Sequence, residues 1–152
     1  MTVSVPRASR LWSVYFRIQY RLIRLLDPLI RLVWRGFGLG NVVELRLTGR
    51  RTGKPRPVLV GLLHVGPDRY VGHPNGDAPW TRNLEATELV QLCVVWPRLE
   101  IVRATRLPPG PEREAAIRAT WQHVPPGNLV YRLAQRHIRA VGSYFRLEPA
   151  VR

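Results

Sequence analysis

The sequence is short of acidic residues, of cysteine and of long uncharged apolar runs. Ten Asp and Glu stand against 24 Lys and Arg in 152 residues, a formal charge of +14. That imbalance points to an anionic partner: nucleic acid, an acidic membrane surface or a phosphorylated ligand. One cysteine, Cys93, excludes an internal disulfide and a Cys-based metal cluster, and fits a reducing compartment. The four histidines, His64, His73, His123 and His137, show no metal-ligand spacing, so no metal is expected. No stretch approaches ~20 apolar residues without charge, which argues against a spanning helix. Arginines interrupt the only candidate leader and no small-residue cleavage site follows, so a signal peptide is not expected. Lysine is nearly absent as well: Lys54 alone against a crowd of arginines. A GC-rich coding bias explains that excess, so the positions of the cations carry more meaning than their number.

What is present is ordinary for a globular chain. Hydrophobic residues make up 45% and charged residues 22%, enough to bury a core and against disorder. The length suits one domain of usual size.

Residues 9–35 place Ser13, Arg17, Arg21, Arg24, Asp27, Arg31 and Arg35 at steps of three or four, one stripe of a helix whose remaining surface is apolar. Asp27 reads as an N-cap and Pro28 as a first-turn residue, which predicts two helices over 9–26 and 28–35 with a bend between. Such a helix, with Trp12, Tyr15 and Phe16 beside Arg17, Arg21 and Arg24, suits the headgroup layer of a membrane. The alternative is that its apolar face packs on the core.

The remainder reads as β-rich. Strands are predicted over 42–47, 58–65, 69–72, 89–95, 99–106 and 139–147, with helices over 79–86, 111–123 and 128–137. About six strands at hairpin spacing with a few helices imply a closed or half-closed antiparallel barrel of the α+β class. The expected organisation is an amphipathic helical segment over 1–40 and a ligand-binding barrel domain over 41–150.

The loop over 48–56, TGRRTGKPR, packs four cations into nine residues between two strands. Its glycines let the backbone approach a ligand, and exposed N–H groups there can form an anion nest. Arg adds forked, charge-assisted bonds to phosphate or carboxylate. A solvated basic turn is the plainer reading. It is not a Walker loop, because the spacing differs and a strand follows. Nucleic acid is disfavoured: the N-terminal cations alternate with bulky apolar residues rather than lining a recognition helix.

The segment LRLTGRRTGKPRPVLVGLLHV, followed by DRYVGHPNGDAPWTRNLEA, resembles the deazaflavin-dependent nitroreductase and quinone reductase family, over roughly residues 42–105. That resemblance implies a split β-barrel and the reduced deazaflavin coenzyme F420. It implies that Arg50, Arg51, Thr52 and Arg56, with Lys54 beside them, hold the phosphate and oligoglutamate tail. Pro57, Val58, Leu59 and Val60 match the strand beside the ring, and Gly72, His73, Pro74 and Asn75 a second contact loop. Trp80, Thr81 and Asn83 match a short helix that closes the site, and Tyr131 falls near the substrate pocket as the candidate catalytic residue. The expected activity is hydride transfer from the reduced deazaflavin to a lipophilic acceptor, such as a membrane quinone or a nitro compound. The expected setting is the cytoplasm, peripheral on the cytoplasmic face of the membrane, with a homodimer as the candidate assembly. Asn75, where the family often carries Lys, and Thr81, where an aromatic is common, motivate the alternative: a catalytically silent split barrel binding flavin (FMN), haem or lipid.

Overall fold

The computed structural model describes residues 7–87 and 89–150. Seven strands form one sheet: β1 (Val42–Thr48), β2 (Pro55–Gly61), β3 (Leu63–Val65), β4 (Asp68–His73), β5 (Leu89–Cys93), β6 (Glu100–Arg106) and β7 (Ser143–Pro149). Their order is β2-β1-β5-β6-β7-β4-β3, with every neighbouring pair antiparallel. Strands β2 and β3 are therefore the two ends of the sheet, yet Leu62 alone separates them in sequence. In a flat sheet at ~4.8 Å per strand the ends would lie ~29 Å apart. One residue cannot span that, so the sheet must curl until its ends meet. The result is a split β-barrel of the α+β class, closed by a covalent link and without a β2–β3 ladder.

The expected strand over 58–65 is thus two strands. Leu62 breaks the run because its N–H turns to the Asn41 carbonyl (2.8 Å) while its own carbonyl accepts from Asn41 Nδ2 (3.1 Å).

Five helices surround the barrel among the described residues: α1 (Arg7–Phe37), α2 (Pro79–Glu85), α3 (Pro111–Arg118), α4 (Gly127–Leu133) and α5 (Gln135–Val141). Two helices were expected before Gly36; α1 is one helix with Pro28 inside it. Asp27 does not cap a new helix. Its carboxylate meets Arg31 one turn on, at 3.3 Å, and buried anchors on both sides of Pro28 offset the lost backbone bond. These are Phe16 and Trp34, 3% and 4% exposed, with Trp34 Nε1 donating to the Val42 carbonyl at 2.8 Å. The expected helix over 111–123 ends as α at Arg118 and continues as a 3-10 turn, Ala119–Gln122. The segment over 139–147 begins as helix, because α5 runs to Val141 and stops where Gly142 takes an extended conformation.

Two apolar clusters hold the molecule. Val43, Leu45, Leu47, Val71, Leu92, Val102, Phe145 and Leu147 fill the barrel. Leu63, Tyr70, Ile117, Ile138 and Tyr144 join Phe16 in a second cluster outside it. The alternation of β1 explains its place: Val43, Leu45 and Leu47 point inward. Glu44, on the other face, is 1% exposed because Arg31 from α1 reaches down to pair with it and Arg46 flanks it at 3.0 Å.

Candidate functional site: a cleft between α1 and the barrel edge

α1 does not seal the barrel. Between it and β2 lies a cleft of about 830 Å³, within the size range of small-molecule and cofactor sites. Five arginines, Arg24, Arg31, Arg50, Arg51 and Arg56, and one carboxylate, Asp27, line it. Asp27 is already paired with Arg31, so the cleft retains an excess of positive charge suited to an anionic guest.

The cationic end is built by the β1–β2 turn. Gly49 N–H donates to the Lys54 carbonyl (2.8 Å) and Gly53 N–H to the Gly49 carbonyl (2.9 Å). Gly53 holds φ +67, a left-handed conformation that suits glycine. Lys54 N–H donates to Thr52 Oγ1 at 3.3 Å. The turn is tied to α2: Asn83 Oδ1 accepts from the Arg50 backbone N–H and from its guanidinium. Arg51 and Arg56 make no ion pair among the described residues, so both are available to a ligand.

From that end the wall follows β2, with Pro57, Val58, Leu59, Val60 and Gly61 in turn. Opposite lie Gly72, His73, Pro74 and Trp80, under Tyr20 of α1. The His73 ring meets Tyr20 edge-on at 5.7 Å and Trp80 at 6.3 Å. Its Nδ1 accepts from the Asn75 N–H at 3.2 Å, which leaves the proton on Nε2. Burial lowers its pKa to about 4, so the ring is neutral at pH 7. A Cβ on Gly72 would strike the Tyr144 ring; glycine lets β4 lie flat there.

The far end is formed by Tyr131 and His123, with ring centroids 4.4 Å apart. Burial raises the Tyr131 hydroxyl well above its ordinary value, so it stays protonated and is a weak acid.

Most residues singled out by the resemblance line this cleft: Arg50, Arg51, Thr52, Arg56, Pro57, Val58, Leu59, Val60, Gly72, His73, Pro74, Trp80, Asn83 and Tyr131. Lys54, Asn75 and Thr81 do not. Lys54 is exposed and does not line the cleft. Asn75 is engaged in docking α1: its Nδ2 donates to the Ser13 carbonyl at 3.2 Å and its Oδ1 accepts from His137 Nε2 at 2.8 Å. Thr81 is buried, with Oγ1 bonded to the Ala78 N–H and carbonyl, both at 2.9 Å, which caps α2. Beside it, burial works against the Asp77 carboxylate, but hydrogen bonds from Arg106 and Ser143 outweigh it and hold its pKa low.

The expected membrane-contact residues divide. Arg17 and Arg21 are exposed, and so is Tyr15, whose ring packs edge-on against Trp12 and Phe16. Arg24 is exposed along the cleft rim. Trp12 is half-buried against the second cluster. Phe16 is corrected: it stacks on His137 and meets Tyr131 inside the protein, so it is a core residue. Sequence reasoning missed Tyr20, Ile23, Asp27, Arg31 and His123 as cleft residues. The spacing Phe16, Tyr20, Ile23 marks an inward face and was the available signal; nothing local marks His123.

No helix among the described residues is long and apolar enough to cross a membrane. No group of three or more His, Cys, Asp or Glu that could hold a metal ion occurs among them.

A curled antiparallel sheet with an arginine-lined cleft along its open edge defines a split β-barrel. No protein-family model and no curated protein matches the chain. Solved structures do. A structure described as an F420-H2 dependent reductase is 20% identical, covers 71% of this chain and 94% of its own, and superposes with a TM-score of 0.53. One described as a domain-swapped dimer is 18% identical over 84% and 99%, at 0.54. A conserved hypothetical protein from Mycobacterium tuberculosis is 12% identical over 72% and 73%, at 0.51. At such identities the likeness is one of fold.

Proposed function

We propose that the chain is an oxidoreductase that binds reduced coenzyme F420 in the cleft and delivers its hydride to a lipophilic acceptor. The observation that carries this reading is the polarity of one continuous groove. Arg50, Arg51 and Arg56 gather at one end, and the β2 residues Pro57 to Gly61 lead away from them. An anionic tail and a planar ring make the matching pair of demands. The reductase of similar fold supports it.

When bound, the reduced deazaflavin supplies the hydride. The chain's part is to hold and orient. Arg51 and Arg56 give forked bonds to the tail, and Arg50, steadied by Asn83, adds a third. Tyr20, His73 and Trp80 set the width of the ring slot and keep water from it. Neutral His73 and protonated Tyr131 present N–H and O–H donors.

On this reading the acceptor is met at a membrane surface. At about 100° per residue, Phe16, Tyr20, Ile23 and Trp34 share the inward face of α1. Leu11, Ile18, Leu22, Leu25, Leu29 and Leu32 lie on the opposite side, between 55% and 78% exposed. Arg17, Arg21 and Arg24 fall along the border between the two faces. An apolar ridge edged by arginine suits anionic lipid, and it brings a lipid-soluble acceptor beside the cleft that the same helix roofs. A homodimer is the assembly we expect, with the open β2 edge as the surface a second copy would cover.

The test is a titration of purified protein with coenzyme F420, followed by its fluorescence. Saturation in the micromolar range supports the reading; no saturation at high micromolar coenzyme ends it. Oxidation of the reduced coenzyme on adding a menaquinone analogue tests turnover.

A further inference from the structure

The far end of the cleft carries a built feature that the cofactor reading does not use. His123 follows the 3-10 turn Ala119–Gln122; one contact fixes that turn and two fix the ring. Gln122 pins the turn to β3 with paired bonds, Nε2 to the His64 carbonyl (2.7 Å) and Oε1 from the His64 N–H (2.8 Å). Tyr131 packs on the ring. Asn41 approaches from the other side, its Nδ2 3.4 Å from His123 Nδ1.

The protonation of that ring follows from Asn41. Its Nδ2 also donates to the Leu62 carbonyl. A carbonyl only accepts, so the atom facing both partners is the amide nitrogen, and His123 Nδ1 must be an acceptor. The proton then sits on Nε2. Burial lowers the pKa of His123 to about 4, so the ring is neutral at pH 7. Nε2 has no hydrogen-bond partner among the described residues and is not among the fully buried unpartnered atoms, so it keeps some exposure, on a residue that lines the cleft. Gly61 faces the ring so closely that a Cβ there would collide with it. The β2 wall is cut away where His123 enters.

We propose that this end of the cleft is the acceptor's subsite, with His123 Nε2–H as the hydrogen-bond donor to a carbonyl or nitro oxygen of an otherwise apolar aromatic acceptor. This deepens the oxidoreductase reading and rests on it for the word acceptor. Hydride addition brings two electrons to the acceptor, and negative charge gathers on its oxygen. A neutral imidazole stabilises that charge by hydrogen bonding. It does not surrender its proton, because the imidazolate is too basic to form; the proton that completes reduction comes from water. Phe16 and the ring face of Tyr131 supply the apolar walls, so a guest with no oxygen to offer gains burial alone.

Cofactor-free protein tests this with two probes, 1,4-naphthoquinone and naphthalene, which share a shape and differ in the oxygens. Replacing His123 by Phe should weaken naphthoquinone about 10-fold, the ~1.4 kcal/mol of one hydrogen bond, and leave naphthalene within about 2-fold. Replacing it by Gln, which keeps an N–H donor, should restore part of the loss. Nitrogen-15 correlation spectra of histidine-labelled wild-type protein supply a readout that needs no variant: the His123 proton should be on Nε2, and that nitrogen should shift with naphthoquinone. Unchanged quinone affinity in folded His123→Phe, or a proton on Nδ1, overturns the assignment whether or not coenzyme F420 binds. Quinone selectivity without coenzyme binding keeps the donor and removes the redox reading.

Discussion

Asn83 accepts two hydrogen bonds from Arg50, 3.2 Å from the backbone N–H and 2.9 Å from the guanidinium. Helix α2 thereby decides where the basic turn points. Replacing Asn83 by Leu keeps the volume and removes both bonds. We expect coenzyme F420 affinity to fall about 5-fold through Arg50, and stability to drop by about 1–2 kcal/mol for the unsatisfied N–H. Fluorescence titration and urea unfolding read the two effects separately.

Glycine positions make a contrasting pair. Gly61→Ala would drive a methyl into His123 and should cost roughly 1–3 kcal/mol, with weaker binding of any guest at that end. Gly36, in the last turn of α1, has open space around it, so Gly36→Ala should gain up to about 1 kcal/mol from helix propensity. Thermal melts of both variants check the signs.

Acid should loosen the cleft before the rest of the molecule. Burial lowers the pKa of His73 and His123 to about 4, against 6.5 when unfolded. Between those values the unfolded chain binds more protons, so stability rises with pH. It is fully present above pH ~6.5 and is lost as pH falls toward 4, by up to about 3 kcal/mol for each ring. Urea midpoints from pH 7 to pH 4 should decline, and the slope should flatten when His73 and His123 are both replaced by Gln.

The outer face of α1 should be separable from its inner face. Leu22 and Leu29 are 55% and 61% exposed; replacing both by Ser should leave the melting temperature nearly unchanged and abolish co-sedimentation with anionic vesicles. Phe16→Ala should instead cost about 3–5 kcal/mol. Retained vesicle binding by the double Ser variant would remove the membrane proposal.

Strands and their pairing were readable wherever side chains alternate or a turn residue intervenes, as at Val43, Leu45 and Leu47 or at Gly66. The basic turn announced itself because Gly49 and Gly53 bracket its arginines. Helix α1 was legible as amphipathic, but not which apolar side faced inward. Phe16 and Ile18 are both apolar, and nothing in the helix itself says that the first is buried and the second exposed. Glu44 and Val42, waiting for Arg31 and Trp34, choose the side, and they belong to another element. Likewise Pro28 reads locally as a start signal, and the distant anchors that keep α1 continuous are tertiary. Asn75 and Thr81 sit in motif positions yet bond within the fold, which spacing alone does not reveal. His123 owes its place in the cleft to Asn41 and Gly61, far back in the sequence, and to the bonds of Gln122 with His64. No local window contains that arrangement.

Leu62 joins strands that stand at opposite ends of the sheet. A hinged flap could open without disturbing what lies behind it; here the wall of the groove and the last strand of the barrel are separated by a single residue. Prising β2 outward to admit a bulkier guest must drag β3, and with it the Gln122 clasp that aims His123. The breadth of guest the groove admits and the shape of the barrel are therefore set together, and a variant with Leu62 extended by inserted residues would uncouple them.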